Sequence, residues 1–193
     1  MEDIGARKFR HDCLLQEPES DDKERDAITA FATVIDKFPD SREALLARGK
    51  LANCYLARAE LDPTQAAAAY TNAAAIYLGF ANNKSVEVNI RSQAEVGLAQ
   101  VREKQALRAI GEERDALYQQ ALGHLLNVFH GGNLAPGESP STFWLHRSGM
   151  DAARLAESMG LPEQAANLYD ALARAFPASA SVFQPRAAQL RGK

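Results

Sequence analysis

The chain has 193 residues and a formal net charge of −3, from 22 Lys plus Arg against 25 Asp plus Glu. That balance excludes a nucleic-acid binder working through bulk positive field, and a membrane skin of clustered bases. With 46% apolar and 24% charged residues, the composition is that of a folded chain long enough to bury a core without a metal or disulfide staple.

Alanine dominates, including the runs Ala66–Ala69 and Ala73–Ala75, while Val, Ile and Thr are scarce. Alanine loses no side-chain entropy in a helix, whereas β-branched residues favour strands, and no period-2 pattern or Asn-Gly hairpin signal occurs. The fold class is therefore all-α. Residues 1–20 have no apolar run of signal-peptide length. They read as a partial helix, Arg7–Leu15, followed by an acidic linker, which leaves open that the chain is a fragment of a longer protein. Asp21 then opens a helix that runs to about Lys37 and stops at Phe38-Pro39, with acids facing the positive end of its dipole. Ser41 caps a second helix ending near Leu61. Pro63 is placed in the first turn of a third, which continues to about Gly79. Ser85 caps a long fourth helix reaching Gly111. Glu112 to Phe129 follows, ended by a glycine stop at His130-Gly131-Gly132. Residues 131–141 form the one substantial loop. Ser141 opens a helix to Met159-Gly160, Pro162 to Ala175 forms another, and Ser179 or Ser181 caps the last. With the N-terminal piece, about nine helices are expected. None is apolar over the length needed to span a bilayer.

The chemistry-bearing residues assemble into nothing catalytic. His124 and His130 are six apart, off the three- or four-residue spacing of a shared ligand, and read with His11 and His146 as surface or helix-end histidines. His130-Gly131-Gly132-Asn133 lacks the strand and serine elbow that would make it an oxyanion loop. Cys54 sits mid-helix and reads as a small buried apolar residue, and Cys13 as a partly exposed thiol. Phe143 and Trp144 read as covering the end of the core, with an anchor for a partner as the alternative. No catalytic residue, metal site or cofactor is expected.

Two distant segments align without a gap. Ala27-x3-Phe31-x2-Val34-x4-Pro39 is matched by Ala165-x3-Tyr169-x2-Leu172-x4-Pro177, 138 residues on, close to four periods of about 34. Both place a phenylalanine before the proline (Phe38, Phe176) and a serine two residues after it (Ser41, Ser179). Weaker copies are Tyr118-x2-Ala121-x3-Leu125-x2-Val128 and Ala66-x3-Tyr70-x2-Ala73. On these residues, from about Asp21 to Leu190, the chain resembles the tetratricopeptide repeat family. The phrase Phe38-Pro39-Asp40-Ser41 with Leu51-Ala52-Asn53-Cys54-Tyr55 is similar to repeats of bacterial periplasmic coordinators and outer-membrane assembly lipoproteins.

The resemblance implies stacked antiparallel helical hairpins in a right-handed superhelix over residues 21–193. It also implies a concave groove, lined by the first helix of each hairpin, that binds an extended or helical segment of another protein. In the last repeat that face carries Arg147, Met150, Arg154 and Glu157, with Lys50 and Asn53 as further candidates. The expected function is a non-enzymatic protein-binding scaffold. The alternatives are a small-ligand or catalytic all-α domain with a site between helices, or a spacer repeat of a longer protein. Nucleic acid and direct membrane insertion are not expected. The compartment is left open between cytoplasm and, for a fragment of a longer protein, periplasm. The first 26 residues hold nine acids and five bases, whereas residues 171–193 hold four bases and no acid. This pattern reads as two solvated ends, with weak head-to-tail self-association as the sharper alternative.

Overall fold

The computed structural model describes residues 21–192. The N-terminal helical piece expected at Arg7–Leu15, with His11 and Cys13, lies outside the described residues. Eight α-helices follow one another, and no strand occurs among the described residues. They are α1 (Asp21–Lys37), α2 (Arg42–Leu61), α3 (Ala66–Ala81), α4 (Val88–Ala106), α5 (Gly111–Phe129), α6 (Thr142–Ser158), α7 (Pro162–Ala175) and α8 (Ala180–Arg191). A short 3-10 turn, Pro177–Ser179, joins the last two. Among the described residues no helix is long and apolar enough to cross a membrane.

The chain divides into two compact units, one up to Tyr77 and one from Leu78, so the division falls inside α3. In the first unit α1 packs on α2. Ala27 and Phe31 of α1 are buried with Ala47, Leu51 and Cys54 of α2, and Ile76 of α3 packs against them. Ser41 caps α2 as its spacing predicts, its hydroxyl accepting the Ala44 N–H at 3.0 Å.

In the second unit each helix packs on the next, α4 on α5, α5 on α6, α6 on α7 and α7 on α8, while α4 also touches α6. The core runs from Val96 and Ala99 through Leu122, Leu125, Leu155 and Leu172 to Phe183 and Leu190. In all four copies of the pattern the small residue is buried (Ala27, Ala66, Ala121 and Ala165), as are Phe31, Tyr70 and Tyr169, whereas Tyr118 and Val34 are only partly buried. The small residue admits a close helix neighbour, and the aromatic fills the space beside it. Gly160 ends α6 at φ 72, a left-handed conformation that glycine adopts without strain.

Several helix ends differ from expectation. Pro63 is not in the first turn of α3 but in a tight turn three residues before it. There the Asp62 carboxylate accepts the Thr64 N–H at 2.9 Å and its hydroxyl at 2.6 Å. A side chain that closes its own turn displaces the helix start. Ser85 does not cap α4, since it is committed to the same kind of turn on Asn83. The long fourth helix ends at Ala106, four residues before Ile110, in a turn that leaves Leu107 and Ile110 exposed. Neither Ser141 nor Ser179 makes a side-chain cap bond.

Candidate functional site

The residues marked on the last repeat lie one turn apart along α6. Positions 143, 147, 150, 154 and 157 share one face of a helix. That face is open at its start and tied to neighbours at its end. Trp144 packs against the core as expected, but Phe143 does not cover it: it is 63% exposed, its ring at right angles to that of Trp144. Arg147 is exposed, and its Nε donates to Asp151 Oδ2 at 2.8 Å, a pairing within one turn of α6. Met150 is half-buried against the core. Arg154 reaches across to α4, where its Nη2 donates to both carboxylate oxygens of Glu103, at 2.9 and 3.2 Å. Glu157 reaches the other way. It accepts the Tyr169 hydroxyl at 2.8 Å and Arg186 Nε of α8 at 3.1 Å, and pairs with Arg186 Nη2 as well. Burial and the Glu157 carboxylate together hold the Tyr169 phenol above its ordinary range.

The structure therefore brings Arg147, Met150, Arg154 and Glu157 onto one strip of the second unit. It adds Glu103 and Arg186, which the sequence reading did not single out. Nothing in the sequence pairs α6 with α4 and α8, because the pairing depends on which helices become neighbours. Lys50 and Asn53 lie on α2 in the first unit. Asn53 accepts the Tyr77 hydroxyl at 2.6 Å, which commits its amide oxygen to holding α2 against α3. Lys50 lies close enough to Cys54 for its charge to act on the thiol, but burial and Glu24 prevail and push the Cys54 pKa up to about 12. A thiol in that state is an inert core residue, as its mid-helix position suggests.

A second polar cluster joins α4 to α5 and to the loop after it. Arg91 is fully buried, and its Nε donates to the Asn133 carbonyl at 3.2 Å. Its other nitrogens reach the Lys84 and Val86 carbonyls and the Glu138 carboxylate. Lys84 Nζ donates to the Asn133 carbonyl at 3.0 Å, and Asn133 Nδ2 to Ser92 Oγ at 2.8 Å. One turn further along α4, Glu95 is buried with both oxygens engaged, one by Asn127 Nδ2 at 2.7 Å and one by His124 Nδ1 at 2.6 Å. His124 is thus neither a plain surface histidine nor a helix-end one. It closes a helix–helix contact through a carboxylate. His130 is exposed at the α5 C-cap, where it was placed. Every member of the cluster named here is spent on another member or on the backbone, so its work is to fasten α5 and residues 131–138 to α4. Among the described residues no group of three His, Cys, Asp or Glu could hold a metal ion.

No protein-family model matches the sequence, and no curated protein matches it significantly.

Proposed function

We propose that the chain is a non-enzymatic scaffold of the tetratricopeptide kind, binding a segment of another protein along the α6 strip. The observation that supports this reading is the composition and exposure of that strip. An exposed aromatic, a half-buried methionine and two exposed arginines follow one another on a single helix face, with charges from α4 and α8 at its margin. Phe143 and Met150 offer apolar contact that adapts to varied side chains. The arginines offer planar donors to carboxylates. Their present ion pairs each join an exposed arginine to a part-buried carboxylate, and pairs near the surface contribute on the order of 1 kcal/mol. Successive packing of α4 through α8, with α4 touching α6 past α5, is how stacked hairpins bring their first helices side by side.

The test is affinity capture from a lysate of the source cells, comparing the wild type with an Arg147→Glu/Arg154→Glu variant of equal melting temperature. A protein held by the wild type and lost by the variant supports the scaffold and the strip. One held equally by both keeps the scaffold and moves its surface elsewhere. Nothing held by either sinks the reading, in favour of a spacer repeat or a small-ligand domain.

A further inference from the structure

Residues 131–138 are fastened to α4 by polar contacts, and none of them belongs to the apolar core that runs through α4 to α8. Their one fully enclosed side chain is itself polar. It is Asn133, whose Nδ2 donates to Ser92 and whose carbonyl accepts Arg91 and Lys84. Leu134 and Ala135 are only partly buried. At the far end Glu138 accepts Arg91 Nη2, and it closes the segment on itself through the Ala135 N–H at 2.6 Å. Gly131 at φ 75 and Gly137 at φ 83 stand near the two ends, in the left-handed region where glycine turns without strain. Little buried apolar area, polar fastenings and a glycine at each end are the marks of a segment that opens well before the whole unit unfolds.

We infer that residues 131–138 are a strap that opens as one unit while the helices stay folded, turning on Gly131 and Gly137, with the Arg91–Glu138 pair as its latch. Opening uncovers the Arg91 guanidinium and the Ser92 hydroxyl, both enclosed when the strap is shut. Water then solvates a charge that burial penalises, which offsets part of the hydrogen bonding lost. Arg91 keeps its bonds to the Lys84 and Val86 carbonyls, both outside the strap, so the guanidinium stays in place for the strap to close on again. Three residues, 139–141, join the strap to α6. An open strap therefore unties the start of α6 from α4, at the Phe143 end of the strip proposed above, and gives that end room to adjust to a ligand.

Native-state hydrogen exchange on the full chain, followed amide by amide, tests this. The reporters are the Asn133 and Leu134 amides, which donate to the Asn127 and Gly131 carbonyls, against the Leu122 and Leu125 amides in the middle of α5. Corrected for intrinsic rates, the strap amides should exchange at least about tenfold faster than the α5 amides. Low urea should speed the α5 amides and leave the strap amides unchanged, because opening the strap exposes little surface. Leu190→Ala, which removes a buried side chain of α8, should likewise speed only the α5 amides, since it weakens the open and shut forms equally. Glu138→Gln should speed the strap amides at least about tenfold through loss of the charged bond to Arg91. Strap amides that follow the α5 amides in urea and in Leu190→Ala would show that the loop comes away only with the whole unit, and overturn the inference. An unchanged strap rate in Glu138→Gln would overturn it too, by removing the latch. All of these rates are read without a ligand, so failure here leaves the scaffold standing, and failure of the capture experiment leaves the strap.

Discussion

Arg91 is the residue on which most of the second unit's polar interior turns. A guanidinium with no exposure survives burial only because each of its nitrogens meets a carbonyl or carboxylate. Arg91→Ala leaves three carbonyls and Glu138 without that donor and opens a void. It should cost about 3 kcal/mol in urea denaturation, followed by the fluorescence of Trp144, the only tryptophan. A cost under about 1 kcal/mol would mean that Lys84 and Ser92 hold the loop without it. Glu138 supplies a pH prediction. The Ala135 N–H and then Arg91 hold its carboxyl below the usual carboxylate range. A depressed folded value means that its contribution is complete above the unfolded value, about 4.3, and is lost as pH falls through the lower folded one. Thermal stability should therefore drop in the acid range below about pH 4, and Glu138→Gln should flatten part of that drop while lowering stability at neutral pH. Sequence reading missed Arg91 and Glu95 because in a stretch of mixed polar and apolar residues nothing marks them as buried, and their side-chain partners come from a loop more than forty residues on (Asn133, Glu138) or from the next helix (His124, Asn127).

Helix by helix, the ends were readable wherever a local rule governed them. Ser41 before α2, Phe38-Pro39 after α1 and Pro162 at the start of α7 act through the backbone immediately beside them. They failed where a side chain competed for the same backbone, as Asp62 and Asn83 do. Contact between helices was less legible. Gly149 of α6 is an example: a methyl there would sit 2.6 Å from Phe129 Cε2 of α5 and 2.8 Å from Leu172 Cδ2 of α7. Gly149→Ala should therefore destabilise by about 1–3 kcal/mol even though alanine is the better helix former. Gly123 of α5 has nothing within 4 Å, and Gly123→Ala should stabilise by up to about 1 kcal/mol. Paired denaturation curves check both signs, and a stabilising Gly149→Ala would contradict the close approach of the three helices.

For the whole molecule, the division into two compact units governs how it should unfold. The first unit closes a small core around Phe31 and Cys54, whereas the second runs a continuous one through five helices. Less apolar area buried means less stability. Ellipticity at 222 nm, which both units contribute, should begin to fall at lower urea than Trp144 fluorescence, which reports the second alone; superposed curves would show one cooperative molecule instead. Ala165→Asp places an unpaired charge at a fully buried position of α7 and should cost the second unit several kcal/mol. An unchanged Trp144 transition would mean that the repeat register around Ala165 is wrong.

The sequence by itself determined that the chain is helical, where most helices stop, and which faces they bury. Alanine content, proline and glycine stops and the small-aromatic spacing of Ala27-Phe31 and Ala165-Tyr169 all act within one or two turns of backbone. Tertiary structure alone decided which charges meet. It set Arg154 on Glu103 and Glu157 on Arg186, and buried Arg91 under the loop at Asn133 and Glu138. The reason is one of range. Helix formation is fixed by neighbours three or four residues away, whereas a hydrogen bond between distant side chains exists only after the helices carrying them have packed.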